Sequence, residues 1–290
     1  MDKKVMCINE DGVQVNFSYD FAPFFLVSLE GVYTVSNNVV TSENTMVDGS
    51  TYQGSTTKQR NIVITAAMES DYQANRNLLY KCFKPKSTGQ FIYMEGDEVR
   101  TIDYKTEGID IDEKGVVRNC SISLLCPDPF FRDMEDIKVS MASWTGLFEW
   151  PHAFLEEKEP FAERTAEVLK EIENDSAADN IGITVTLEAE GPVINPAVYH
   201  AESGEFIKIG NSNRSFSINA GDVVEITTET NNKAVYLIRD GVKTEINEYL
   251  DEDSDFIQLQ HGTNTIRYSA EAGEEYLNVT ISYRFRYLGV

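Results

Sequence analysis

Near its end the chain reads NVTISYRFRY (278–287), with Val279, Ile281, Tyr283, Phe285 and Tyr287 on one side and Asn278, Thr280, Ser282, Arg284 and Arg286 on the other. An unbroken period of two over ten residues fits a half-buried antiparallel strand and excludes an amphipathic helix. Such a strand needs sheet partners, and the chain upstream supplies them. AVYLIRDGVKTEI has the Asp240-Gly241 pair of a two-residue hairpin turn, and VVEITTET precedes it at the short spacing of a sandwich. From Ile181 onward the pattern predicts an antiparallel β-sandwich of about 110 residues.

The first third predicts a second β-rich body. VQVNF, FFLVSLEGVY and NIVITAAM carry β-branched and aromatic residues between turn signals such as Glu10-Asp11-Gly12 and Asn37-Asn38. DYQANRNLLYKCFKP places Tyr72, Asn75, Leu78, Leu79, Cys82 and Phe83 at helical spacing, with Ser70 and Asp71 as candidate caps and Pro85 as the stop. Two further stretches, QFIYMEGDEVRTIDYKTEGIDI and VVRNCSISLLC, return to strand patterns. Cys-Pro-Asp-Pro (126–129) then ends the sheet, because neither proline can donate a ladder hydrogen bond. Between the two bodies, EPFAERTAEVLKEIEN sets Phe161, Thr165, Val168, Leu169 and Ile172 on one helical face, with Pro160 suited to a first turn. The expected organisation is residues 1–134 as one domain, 135–180 as a linker with an amphipathic helix, and 181–290 as the outer sandwich.

At 290 residues, two cores of ordinary size are expected. With no signal-peptide core before Glu10 and no apolar run of spanning length, the expectation is synthesis and folding in a cytosol and no membrane partner. The formal charge is −23: the first 130 residues hold 12 Lys and Arg against 18 Asp and Glu, the remainder 13 against 30. Phosphate neutralisation needs the opposite sign, so sequence-specific nucleic-acid binding is not expected.

Residues able to do chemistry are few. Cys7, Cys82, Cys120 and Cys126 lack zinc-site or disulfide-framework spacing and fit buried free thiols. His152, His200 and His261 are not paired at metal-ligating spacing. No nucleophile elbow, P-loop or dinucleotide fingerprint occurs; GSTTKQ (54–59) lacks the ending of a phosphate loop. Asp251, Asp253 and Asp255 occupy positions one, three and five of a calcium loop, but Phe256 stands where glycine is needed and Gly262 where a glutamate is needed. A trial on Asp110, Asp112 and Gly115 fails at Ser121. No catalytic, metal or cofactor residue is assigned, and no enzyme activity is expected.

In this setting the chain resembles the distal tail protein family, the siphovirus-type tail component of long-tailed phages that infect Gram-positive bacteria. VDGSTYQGSTTKQRNIVITAAM, the helix with Leu78, Leu79 and Phe83, and QFIYMEGDEVRTIDY carry the likeness in the first domain, which CPDPFF closes. GPVINPAVYHAESGEFIKI, GDVVEITTET, DFIQLQHGTN and YRFRYLGV follow the order of the family's second domain. The helical linker is a departure.

The resemblance implies a mainly β fold with one or two helices: a ring-forming N-terminal sandwich or barrel-like domain with a packed helix, and a galectin-like C-terminal sandwich. It implies a homo-oligomeric ring, usually of six copies, at the virion tail tip. The ring would lie between the tail tube protein and the tail-tip hub, support receptor-binding proteins, and pass the genome through its lumen. FAPFFLVSLEGVY is a candidate ring contact, although a core strand accounts for most of it. The alternative is a carbohydrate-binding module contacting host surface glycans, for which Trp144 and Trp150 are the obvious stacking residues. A glycosidase built on paired carboxylates stands third, since sequence does not give carboxylate separations.

Overall fold

The computed structural model describes residues 3–20, 22–43, 46, 48–69, 71–112, 117–146, 162–166, 169–178 and 180–290, with 142–146 and 162–166 by backbone alone. The chain divides into two compact units, one of Met1–Met134 with Arg286–Val290 and one of Glu135–Phe285.

The first unit is built from β1 (Lys3–Asn9), β2 (Gln14–Ser18), β3 (Phe24–Glu30), β4 (Asn37–Glu43), β5 (Ser50–Thr57), β6 (Arg60–Met68), α1 (Tyr72–Cys82), β7 (Thr88–Glu95), β8 (Glu98–Ile111), β9 (Arg118–Cys126) and β10 (Phe131–Asp133). Seven strands run in the order β8-β7-β1-β2-β3-β6-β9, and β9 pairs back to β8, so the sheet closes into a barrel. Strand β8 makes closure possible by its length: its first half pairs with β7 and its second half with β9. The strands alternate as a barrel interior demands, with Ile62, Ile64, Ala66 and Met68 of β6 and Cys120, Ile122, Leu124 and Cys126 of β9 all buried.

Helix α1 contributes Leu79 and Cys82 to this core, and Phe83, just past its end, packs with Phe17 and Tyr104. Asp71 stands at its N-cap in the left-handed region without a side-chain cap bond; Ser70 lies outside the described residues. Asn37 and Asn38 open β4 rather than a turn. Strands β4 and β5 form a hairpin of their own that pairs with no other described strand.

The second unit contains β11 (Ile137–Ser140), β12 (Ala142–Gly146), β13 (Ala162–Ala166), β14 (Leu169–Asn174), β15 (Asn180–Ala189), β16 (Val193–Ile194), β17 (Ala197–His200), β18 (Phe206–Lys208), β19 (Ser217–Ile218), β20 (Val223–Glu229), β21 (Asn232–Arg239), β22 (Val242–Glu245), β23 (Gln258–Gln260), β24 (Gly262–Ser269) and β25 (Leu277–Tyr283). One sheet runs β11-β25-β15-β20-β21-β22, with β23 added to β15; the other runs β14-β24-β17-β18. Each sheet buries one face, through Ile183, Val185 and Leu187 of β15, Val279 and Ile281 of β25, and Ile266 and Tyr268 of β24, which is the alternation of a sandwich. The hairpin at Asp240-Gly241 forms as expected, with both residues at positive φ (51° and 75°).

Two further expectations fail. The amphipathic helix over 160–174 is absent: Ala162–Ala166 and Leu169–Asn174 are strands, while Phe161 and Val168 lie outside the described residues. The reason is pairing. Strand β14 makes six consecutive pairs with β24, buries Ile172 and Asn174, and turns Leu169 outward, so tertiary partners override a coincidental 3.6-residue spacing. The alternating terminal strand is also not continuous. β25 stops at Tyr283, and Arg286–Tyr287 form β26, which pairs with β10 in the first unit.

Candidate functional site

The residues singled out for chemistry are scattered and structurally committed. All four cysteines are free and buried. Burial pushes the Cys126 thiol up to about 12 and those of Cys82 and Cys120 up to about 11, and holds Cys7 well above the ordinary thiol range. High values mean little thiolate and low reactivity.

His200 is buried in the second unit. The Ser203 backbone N–H donates to its Nδ1 at 3.1 Å, and its Nε2 faces Asn264 Oδ1 at 2.9 Å. Asn264 in turn donates to the carbonyls of Gln260 and Gly262. This network fixes a turn and offers no open coordination position. His261 is exposed, and His152 lies outside the described residues.

The acidic run folds into local turns, with Asp253 N–H donating to Asp251 Oδ1 and Asp251 N–H to Lys208 O. Among the described residues no cluster of three metal-ligating side chains forms. Part of the second trial loop, 113–116, lies outside them, as does Trp150, and Trp144 is described by backbone only, opposite Arg164 in the β12–β13 pair.

The stretch INPAVYHAESGEFIKIG gives β17 and β18 joined by a turn at Ala201–Gly204, paired Ala197 with Lys208 through Tyr199 with Phe206. Asn195, within the stretch and two residues before β17, sits at φ 48°, accepts the Phe216 N–H at 2.7 Å and donates to Glu271. Gly210 lies so close that a Cβ there would stand 2.1 Å from Asn195 Oδ1.

Two features that sequence inspection passed over organise the first unit. Arg60, 4% exposed, opens β6 and points inward. It donates to the carbonyls of Gly31, Val32, Thr34, Pro129 and Leu288, and its guanidinium lies 4.9 Å from the Phe131 ring centroid. Burial lowers its pKa from the ordinary arginine value. One cation thus ties together the chain after β3, the Cys-Pro-Asp-Pro stop and the last residues of the chain. Around it Arg286 pairs with Asp128, Tyr287 donates to Asp133, and Arg100 stacks on Tyr287 at 3.8 Å.

The second feature is surface. Every residue of β4 is exposed, and across the hairpin Val39 (56%), Val40 (50%) and Tyr52 (62%) stand out. At the hairpin's root lies a cleft of about 500 Å³ lined by Leu29, Tyr33, Val35, Lys58, Arg60 and Val63 among others. Tyr33 is held at its rim by Lys3 Nζ (3.0 Å) and Tyr93 OH (2.8 Å). FAPFFLVSLEGVY, the candidate contact, supplies Leu29 and Tyr33 to this cleft but buries Phe24 and Leu26 in the barrel.

Two family models match in chain order: the phage tail protein RIFT-related domain over residues 14–126, and the C-terminal domain of the siphovirus-type tail component over residues 177–287. The chain belongs to the siphovirus-type tail component family. Among solved structures, the family member Dit of phage SPP1, described as a paradigm of the hub adsorption apparatus in phages infecting Gram-positive bacteria, aligns with TM-score 0.68 at 12% identity, over 97% of this chain and 98% of that one. A chain of the phage P2 baseplate in its activated conformation with Ca aligns with TM-score 0.58 at 8% identity, and one from the Sr form with 0.53 at 9%, each over the full length of both chains. A search of curated proteins gives no match. The family's two-domain fold is therefore present from end to end, while at these identities its side chains have been almost wholly replaced.

Proposed function

We propose that the chain is the distal tail protein of a phage or phage-like particle, a structural component without catalysis. In this reading copies of the first unit close into a ring, six by the family resemblance, that joins the tail tube to the tail-tip hub. The second unit carries or supports receptor-binding components. The genome passes through the lumen.

The observation that carries the reading is the pairing, on one unit of a tail-component fold, of an unpartnered hairpin with a separate cleft. A closed ring needs two different, complementary patches on each copy. The β4–β5 hairpin leaves backbone donors and acceptors on both outer edges and exposes Val39, Val40 and Tyr52, a combination that invites a partner chain. The cleft is lined in part by the residues that flank the hairpin, Val35, Ser36, Lys58 and Gln59, and a neighbouring copy's hairpin entering it would repeat head to tail. Localisation at the virion tail tip follows from the same reading.

The test is native mass spectrometry with negative-stain imaging of the purified full chain at high concentration, alone and with tube and hub proteins. The expected result is a ring with a central channel in at least one condition. A monomer that joins neither tube nor hub overturns the reading.

A further inference from the structure

The cleft at the hairpin's root has two ends of opposite charge. Residues of two segments, 29–36 and 58–63, line most of it. At one end the β3–β6 pairing sets Glu30 opposite Val63, and at the other the Lys58 N–H donates to Ser36 O at 2.8 Å. An exposed carboxylate, Glu30, therefore marks the first end. An exposed ammonium, Lys58, marks the second, with the buried Arg60 guanidinium two residues on. Between them Val63 and Asn61 share the outward face of β6, because Arg60, Ile62 and Ile64 turn inward.

The hairpin carries a matching pattern. Alternation puts Val39, Thr41 and Glu43 on one face of β4, all exposed. Residues 37–57 include the acids Glu43 and Asp48 and no lysine or arginine. From Val39 to Glu43 is about 13 Å at the rise of a strand, and four residues also separate Val63 from Gln59, beside Lys58. Laid on a neighbour's cleft with Val39 on Val63, the hairpin sets Thr41 over Asn61 and brings Glu43 to Lys58. Val40, on its other face, is left for Leu29. Turned end for end, the same hairpin would set Glu43 against Glu30, and like charges brought together in a contact are disfavoured. Apolar contact thus decides where the hairpin lies, and charge decides which way it points.

We propose that Glu43 of one copy pairs with Lys58 of the next, and that this pair fixes the direction of the head-to-tail contact. The inference rests on the ring reading above and names the charges that orient it. Three variants of the full chain test it: Glu43→Lys, Lys58→Glu and the two together. The quantity read is the protein concentration at half-assembly, by native mass, in whichever condition the parent assembles, alone or with tube and hub proteins. Each single reversal should raise that concentration at least about tenfold, and the double reversal should return it to within about threefold of the parent. Both positions are exposed, so the thermal melts of all three should match the parent. Should a reversal melt early, Glu43→Gln and Lys58→Gln replace it, each raising the concentration severalfold and the two together no more than either alone. Single reversals without effect, or a double reversal no better than the worse single, overturn the pairing. Stronger assembly of Glu43→Lys would put Glu43 at the Glu30 end and overturn the direction. A parent that assembles in no condition fails the ring reading and takes the pairing with it, whereas a parent ring with indifferent or unrescued variants fails the pairing alone.

Discussion

The two units are both β-rich, yet they treat the edges of their sheets in opposite ways. The first closes seven strands into a barrel, which removes their edges, and then leaves a separate hairpin whose outer edges pair with no other described strand and whose valines are on display. The second keeps open sheets, and its edge strand β22 is only four residues long and carries Lys243 and Glu245, with Lys243 paired to Glu225. A short charged edge discourages strand addition; a long, bare, partly apolar hairpin invites it. In the proposed reading, the contrast puts the assembly surface on the first unit.

The internal fastening differs as well, and the largest expected effects lie there. Arg60→Met keeps apolar bulk but leaves five carbonyls without their donor. A loss of about 4 kcal/mol is expected, since each orphaned buried acceptor costs on the order of 1–3 kcal/mol before water relieves part of it. The four cysteines are all in the first unit, so their reactivity toward a thiol reagent reads that unit alone. Roughly a thousandfold faster labelling should accompany the loss. Parent-like labelling would remove Arg60 from its central position.

Deleting residues 286–290 is the next step down. It removes Arg286 from Asp128, Tyr287 from Asp133 and Arg100, and the Leu288 carbonyl from Arg60. About 2–3 kcal/mol should go from the first unit, again seen as faster thiol labelling. The end of the chain would then be shown to guard cysteines near its beginning.

This return of the chain was hidden in the sequence for a definite physical reason. Tyr283, Phe285 and Tyr287 keep the same parity across the break, so a period-two reading sees one strand where the chain changes partners. The barrel strands, α1 and the Asp240-Gly241 hairpin were legible because each has a local cause, alternation, helical spacing or turn chemistry. The β4–β5 hairpin was not legible, because neither strand has a buried face and alternation requires one. Strand β14 misled because Leu169 and Ile172 fit a helical face, and only β24, some 90 residues later, decides between the two.

In the second unit single fastenings should be worth less. Asn195→Ala keeps a left-handed backbone position without the amide that secures Phe216 N–H and Glu271, and about 2 kcal/mol is expected. The loss should show in a thermal melt while thiol labelling stays unchanged. A smaller effect depends on pH. Arg239 donates to both oxygens of Asp222, and that hydrogen bonding holds the Asp222 carboxyl below its ordinary value. A depressed folded-state pKa stabilises above the unfolded value of about 3.9 and is lost as pH falls through the folded value. Melting temperature should therefore fall on acidification below about pH 4, and less steeply in Asp222→Asn. Equal slopes would deny the pair any role in acid stability.

The smallest expected effect on stability tests the contrast most directly. Val39→Asp/Val40→Asp alters two exposed positions in a hairpin that supports no core, so the cost to the folded chain should stay within about 1 kcal/mol, the span of strand preferences. Thiol labelling and the melting curve should barely move. Association should fall, because the variant loses the apolar contact that Val39 and Val40 offer Leu29 and Val63 and must desolvate two carboxylates per contact, a cost that Lys58 and Arg60 in the same cleft offset only in part. If the parent forms a ring and this variant stays monomeric with an unchanged melt, the free edges are the assembly surface. A ring that persists in the variant would assign the contact to another face, and the difference between the two units would then concern folding alone.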